Sequence, residues 1–141
     1  MLSTRAADYA LRGMLYLAQQ PSDRLVMAGE IAAAEGMPDY FFSKILQQLA
    51  KAGLVNSFRG VSGGFVLAKS PEEMTIRDVI EAVEGPLVAS RCAVSPESCE
   101  RSDTCPFHRY WREAQASLDA VFVKYTLADA VVHFNSAKRA D

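Results

Sequence analysis

A mainly α-helical fold with one small β-hairpin is predicted by three observations. Apolar residues recur at helical spacing along most of the chain, two short helical patterns meet at a tight "EGMP" turn, and a glycine-rich "RGVSGG" stretch separates two short apolar runs. Two such helices followed directly by a hairpin describe a winged helix-turn-helix. A further long helical pattern beyond it describes a C-terminal dimerisation helix. The expected organisation is a winged helix-turn-helix DNA-binding domain over residues 1–86, a cysteine-rich loop over 87–106, and a dimerisation helix with its tail over 107–141.

Each element has its own signal. Ala7, Ala10, Leu11, Met14, Leu17 and Ala18 lie on one face of a helix spanning 4–19, which "QPSDR" ends. "MAGEIAAAEGMP" reads as a short helix stopping near Gly36. "DYFFSKILQQLAKAGL" reads as another, with Phe42, Ile45, Leu46 and Leu49 facing inward and Gly53 as its C-terminal stop. The runs flanking "RGVSGG" form the hairpin. "TIRDVIEAVEGP" opens with Thr75 and Asp78 at capping-box spacing and closes on Gly85 and Pro86. After the cysteines, Phe107, Trp111, Ala114, Leu118, Val121 and Tyr125 alternate in steps of four and three, the spacing of a coiled-coil seam. A short last helix capped by Thr126 and a polar tail complete the chain.

With 141 residues, 50% hydrophobic and 23% charged, the chain has the composition of an ordinary globular protein. No apolar run reaches the roughly 18 residues that span a bilayer, and the N-terminus lacks the pattern of a signal peptide. The expected address is the cytoplasm, where thiols stay reduced. The net charge of −2 conceals an asymmetry: no acidic residue lies between Tyr40 and Pro71, whereas Lys44, Lys51, Arg59 and Lys69 do. A window free of carboxylates and dotted with cations suits a polyanion.

A helix-turn-helix dimer places each second helix in a major groove. The outward residues here are Tyr40, Ser43, Lys44 and Gln47, with Lys51 further along. Ser and Gln hydrogen-bond base edges, Lys reaches guanine or phosphate, and Tyr offers a hydroxyl on an apolar ring. The alternative for Tyr40 and Gln47 is plain solvated surface. At the wing, Arg59 supplies charge, while Gly60, Ser62 and their neighbours let the backbone approach the sugar-phosphate chain or the minor groove.

All three cysteines fall within one stretch, Cys92-x6-Cys99-x5-Cys105, with His108 three positions beyond the last. Structural zinc sites pair thiols two to four residues apart, and ferredoxin spacing does not match either. Wider gaps suit an object larger than a single ion. Cys105 precedes Pro106, which fits the first position of a helix, so Cys105 is expected at its N-cap, where free N–H groups favour a thiolate. His108 then lies in the first turn, either as a ligand or as a polar residue at a helix start. A thiol enzyme built on Cys105 and His108 is disfavoured, because no Cys-x-x-Cys pair or oxyanion device is visible.

The segments "DYALRGMLYLA", "FFSKILQQLAKAGLVNSFRGVSGGFVLAK", "TIRDVIEAVEGP" and "TLAD", together with the three cysteines, resemble the Rrf-two family of winged-helix transcription factors over nearly the whole chain. The resemblance implies a homodimer that binds double-stranded DNA at an imperfect palindrome and carries an iron–sulfur cluster on Cys92, Cys99 and Cys105. Cluster state would then set operator affinity, making the chain a transcriptional regulator, in the sense of a repressor, whose cluster senses nitric oxide, redox state or iron supply. The fourth ligand divides the family. IscR-like members use a histidine matching His108, usually with a 2Fe–2S cluster, and NsrR-like members use an aspartate matching Asp8, with a 4Fe–4S cluster. The wording of "DYALR" and "SKILQQL" is closer to the second group and favours Asp8 and 4Fe–4S; otherwise Asp8 is a carboxylate suited to a helix N-terminus. Two departures stand out: a first cysteine gap of six, and Leu2 where many members carry a basic residue. The alternative is a DNA-binding regulator that uses its cysteines as a cluster-free thiol redox switch.

Overall fold

The computed structural model describes residues 4–140; Leu2 lies outside them. Helix α1 (Arg5–Ala18) starts at Thr4, whose hydroxyl oxygen accepts the Ala7 N–H at 3.1 Å, and buries Ala7, Ala10, Gly13, Met14 and Leu17. Helix α2 (Ala28–Glu35) ends at Gly36 in the left-handed conformation, and α3 (Asp39–Lys51) follows after Met37 and Pro38. All four residues expected to face inward on α3 are buried: Phe42, Ile45, Leu46 and Leu49. Their apolar burial, worth about 1.5–3 kcal/mol per large side chain, fixes which face of α3 is left for solvent. Gly13 lets α1 and α3 cross closely, since a Cβ there would lie 2.5 Å from Cζ of Phe42.

The hairpin pairs β1 (Val55–Phe58) antiparallel with β2 (Gly64–Leu67), in the register Val55 to Leu67 and Phe58 to Gly64. Its tip closes with the Gly63 N–H donating to the Gly60 carbonyl at 3.0 Å. One feature was not expected: Val26 bridges to Phe65, exchanging two backbone hydrogen bonds of 3.0 and 2.8 Å, so the segment before α2 docks on the outer edge of β2. Gly64 sits beneath this bridge with φ +152°, and a Cβ there would lie 2.9 Å from the Val26 carbonyl oxygen.

Helix α4 (Ile76–Glu84) carries the expected capping box: Asp78 N–H donates to the Thr75 hydroxyl at 3.1 Å, and Thr75 N–H donates to the Asp78 carboxylate at 2.9 Å. The cysteine-rich segment is less irregular than expected. It holds a one-turn helix α5 (Arg91–Val94) and a 3₁₀ turn at Pro96–Ser98, because Pro96 opens a turn there and does not only interrupt one. Helix α6 (Pro106–Lys124) has Cys105 at its N-cap and Pro106 in its first position, as expected.

Helix α7 (Leu127–Ala140) replaces the short helix and polar tail. Thr126 and Asp129 form a capping box, with Asp129 N–H donating to the Thr126 hydroxyl at 3.2 Å and Thr126 N–H to Asp129 at 2.9 Å. The Thr126 N–H and hydroxyl, both donating to the Asp129 carboxylate, hold that carboxyl below its usual range. Lys138 and Arg139 suit the negative end of the helix and help it run on. The α6–α7 joint is pinned to the start of α4 by Ile76 N–H to Tyr125 O at 2.9 Å and Leu127 N–H to Met74 O at 2.8 Å, and Leu127 enters the main core.

The seam on α6 divides. Leu118 and Phe122 pack with Ile80, Leu87 and Ala7 of the chain's own body, beside buried Gln115. Phe107, Trp111, Ala114, Val121 and Tyr125 remain exposed. Among the described residues no helix is long and apolar enough to cross a membrane.

Gly64→Ala adds a β-carbon to a left-handed residue against fixed backbone, so it should destabilise the fold by about 1–3 kcal/mol. Urea unfolding followed by circular dichroism measures this, and a midpoint equal to wild type would mean the Val26–Phe65 bridge is not held as described.

Candidate DNA-binding face and thiol trough

The inward anchoring of α3 leaves Tyr40, Lys44, Gln47 and Lys51 exposed, with Ser43 half-buried beside them. The Lys44 ammonium lies 4.6 Å from the centroid of the Tyr40 ring, so the two sequence-predicted side chains form one cation–π unit on the first turns of α3. Phe41 and Gln48 join Lys44, Gln47 and Lys51 along a groove that reaches Ala6 of α1. Neither was expected; the one-in-four outward spacing from Lys44 to Gln48 is the signal that marks the latter. At the wing, Arg59, Gly60, Val61 and Ser62 are exposed. A second groove lined by Gly29, Asp39, Ser57 and Gly60 joins the start of α3 to the wing. Among the described residues, Lys44, Lys51 and Arg59 take part in no ion pair, whereas Arg12, Arg24 and Arg77 are each paired with carboxylates. The face therefore keeps its positive charge available to a polyanion.

The three thiols come from three different local elements: Cys92 from α5, Cys99 from the residue after the 3₁₀ turn, and Cys105 from the N-cap of α6. All are free and half-buried. They line one open trough of about 600 Å³ with Phe107, Tyr110, Trp111 and Ala114. The loop is held by local bonds: Cys105 N–H to Arg101 O at 2.7 Å, Ser102 N–H to Cys99 O at 3.1 Å, and the Ser95 hydroxyl to Glu97 at 2.7 Å, which keeps the Glu97 carboxyl below its usual range. The Ser90 hydroxyl lies 3.4 Å from the Cys92 sulfur.

Neither candidate fourth ligand is among the residues that line this trough. His108 donates its backbone N–H to Cys105 O at 3.2 Å, and its ring Nδ1 is buried without a hydrogen-bond partner. Asp8 sits on α1, its side chain 54% exposed and 3.7 Å from Arg12, which lies equally close to Glu35. Among the described residues no three His, Cys, Asp or Glu side chains converge closely enough for a metal ion. Three thiols around a trough of this size fit an object whose ligand sites are spread apart, and do not fit a single ion.

Comparison with known proteins decides the family. The Rrf2 (Rrf-two) profile, described as "Iron-dependent Transcriptional regulator", matches residues 3–133. The chain belongs to the Rrf2 family. An HTH-type transcriptional regulator NsrR of Halalkalibacterium halodurans is 32% identical over 134 residues, 94% of this chain and 92% of that protein. Among solved structures, IscR of T. potens superposes with a TM-score of 0.77 at 27% identity, covering 96% of this chain and 89% of its own. CymR, the global cysteine regulator of B. subtilis, superposes with a TM-score of 0.76 at 25% identity, covering 93% and 96%. This Rrf2 protein is accordingly a DNA-binding transcriptional regulator of winged-helix fold, and not an enzyme.

In this Rrf2 chain a further residue that sequence reasoning missed is Gln115, 6% exposed and the one buried polar side chain among the described residues. Its amide nitrogen donates to Leu87 O and to the Asp119 carboxylate, both at 3.0 Å, and its oxygen accepts the Ala89 N–H at 2.7 Å. Arg77 of α4 bonds Asp119 at 2.7 Å and Glu81 at 2.9 Å, and Glu81 accepts the Leu87 N–H at 3.0 Å. The guanidinium is held above its usual range, chiefly by the Glu81 hydrogen bond. A glutamine breaking an apolar stripe four residues after Trp111 was the available signal.

Lys44→Ala and Arg59→Ala should each weaken operator binding and lower the slope of log affinity against log salt by about 1. Titrations across salt concentrations measure both quantities. Unchanged affinity in both variants would remove α3 and the wing from the interface.

Proposed function

We propose that this Rrf2 regulator is a cytoplasmic homodimer that represses transcription from an imperfect palindrome, with an affinity set by an iron–sulfur cluster on Cys92, Cys99 and Cys105. The observation that carries the reading is the trough itself: three half-buried free thiols from three local elements face one space walled by Phe107, Tyr110 and Trp111. The iron-dependent description of the family and the likeness to proteins named NsrR and IscR support it. Bound there, the cluster would supply reactivity toward nitric oxide, oxidants and iron shortage. Phe107, Tyr110 and Trp111 would form the wall of the cluster's space, and Cys105 would present its sulfur from the N-cap of α6.

Tyr40, Ser43, Lys44, Gln47 and Lys51 would meet the major groove, and Arg59, Gly60 and Ser62 the adjoining backbone or minor groove. The exposed residues of the α6 seam, Phe107, Trp111, Val121 and Tyr125, would be covered by a second copy. Asp8, exposed on α1 and not among the residues lining its own chain's trough, would serve the partner's cluster, of 4Fe–4S type. His108, with Nδ1 unpartnered next to the N-cap cysteine, is the competing ligand and goes with 2Fe–2S.

A second reading keeps the DNA-binding dimer and uses the cysteines as a thiol switch. It is favoured by the three free, half-buried thiols together with the likeness to CymR.

Anaerobically purified protein should show a broad shoulder near ~400 nm with about four irons and matching sulfide per chain, since cluster type follows ligand set. Asp8→Ala should then lose iron while His108→Ala keeps it. About two irons with structured bands would transfer the role to His108, and a colourless chain that takes up no iron would leave the thiol switch. Separately, Val121→Glu should shift the protein toward monomer in sedimentation velocity at micromolar concentration; an unchanged dimer would place the interface elsewhere.

A further inference from the structure

We infer that Gln115 is a positioning residue that couples the thiol loop to the DNA-reading helix. The inference rests on the cluster reading above and names the route by which it would act. The hydrogen bonds form a closed ring: Gln115 to Asp119, Asp119 to Arg77, Arg77 to Glu81, Glu81 to Leu87 N–H, and Leu87 O back to Gln115. Inside it, the Gln115 amide treats the incoming chain as a strand edge treats its neighbour, accepting from Ala89 N–H and donating to Leu87 O. Three backbone groups of the segment leading to Cys92 are thus satisfied by side chains of α4 and α6, with no backbone partner.

The ring has mechanical consequences at both ends. On one side, Cys92 follows Ala89 by three residues, and Cys105 caps the same helix that carries Gln115, so both thiols are referenced to this ring. On the other side, α4 presents Val79, and the residue just before its cap presents Met74, to the core that also holds Phe42, Ile45 and Leu46 of α3. A shift of residues 87–89 relative to α6 cannot occur without breaking a buried amide's bonds or moving α4. Leaving buried amide groups unpaired is unfavourable, so the loop and α4 move together. Physical continuity alone is not coupling, and the test must read coupling itself.

The quantity to measure is the ratio of operator affinities of the iron-loaded and iron-free protein, in wild type, Gln115→Leu and Arg77→Gln, with iron per chain, melting temperature and hydrogen exchange of the Leu87 and Ala89 amides on the same samples. A wild-type ratio between about 5 and 150 is expected for an allosteric link. Gln115→Leu should speed exchange at both amides and bring the ratio to within about twofold of one, while iron-free operator affinity stays near wild type. Arg77→Gln, which buries no new unpaired group, should lower the ratio in the same direction with full iron content, and it decides the matter if Gln115→Leu folds poorly. A purely structural role would lower the melting temperature and leave the ratio at its wild-type value, and that result in Arg77→Gln overturns the inference. A wild-type ratio of one overturns the cluster reading itself, and the coupling with it.

Discussion

The Phe42 ring lies so close to Gly13 that the first and third helices cross with almost nothing between them. That approach determines how the outer face of α3 is presented. With Phe42, Ile45, Leu46 and Leu49 seated against α1 and the core, α3 cannot roll, and so Tyr40, Lys44, Gln47 and Lys51 have only one direction in which to point. Reading a major groove requires side chains to be held to within about half an ångström of their productive positions, which a helix anchored by four buried side chains can do and a loosely packed one cannot. The polar face of α3 therefore owes its usefulness to its apolar one.

The molecule divides its labour between rigid and addressable parts. The winged helix is built from local caps, left-handed glycine stops and a continuous core. The thiol segment has short turns, half-buried side chains and few core residues, with Leu87 as its buried anchor. Segments of that kind sit at the low end of local stability, where a small chemical event can rearrange them. The ring through Gln115, Asp119, Arg77 and Glu81 joins the two regimes at one place.

Much of this was legible from residue order, and the reasons are local. Thr75 with Asp78 and Gly36 before Pro38 each act within four residues of themselves, and the Cys105–Pro106 pair announces its helix start directly. The inner face of α3 followed from helical spacing alone. What escaped notice depends on distant partners. Nothing about Val26 announces that it will pair with Phe65, and Gln115 reads as an ordinary polar interruption until Leu87 and Ala89 are brought against it. The seam on α6 was visible as a period, but its division between the chain's own body and an outer surface depends on Ile80 and Leu87, which spacing does not reveal. For the same reason the choice between Asp8 and His108 is not written in their neighbourhoods, since each sits in a plausible place for its residue type.

The chain's only tryptophan, Trp111, stands on the wall of the thiol trough. Indole emission is sensitive to its immediate surroundings, and coloured or paramagnetic groups nearby extinguish it. Trp111 is thus a native optical gauge beside the three thiols. Its brightness would follow, in real time and without any label, the filling and emptying of that space, including in stopped-flow mixing too fast for metal analysis to resolve.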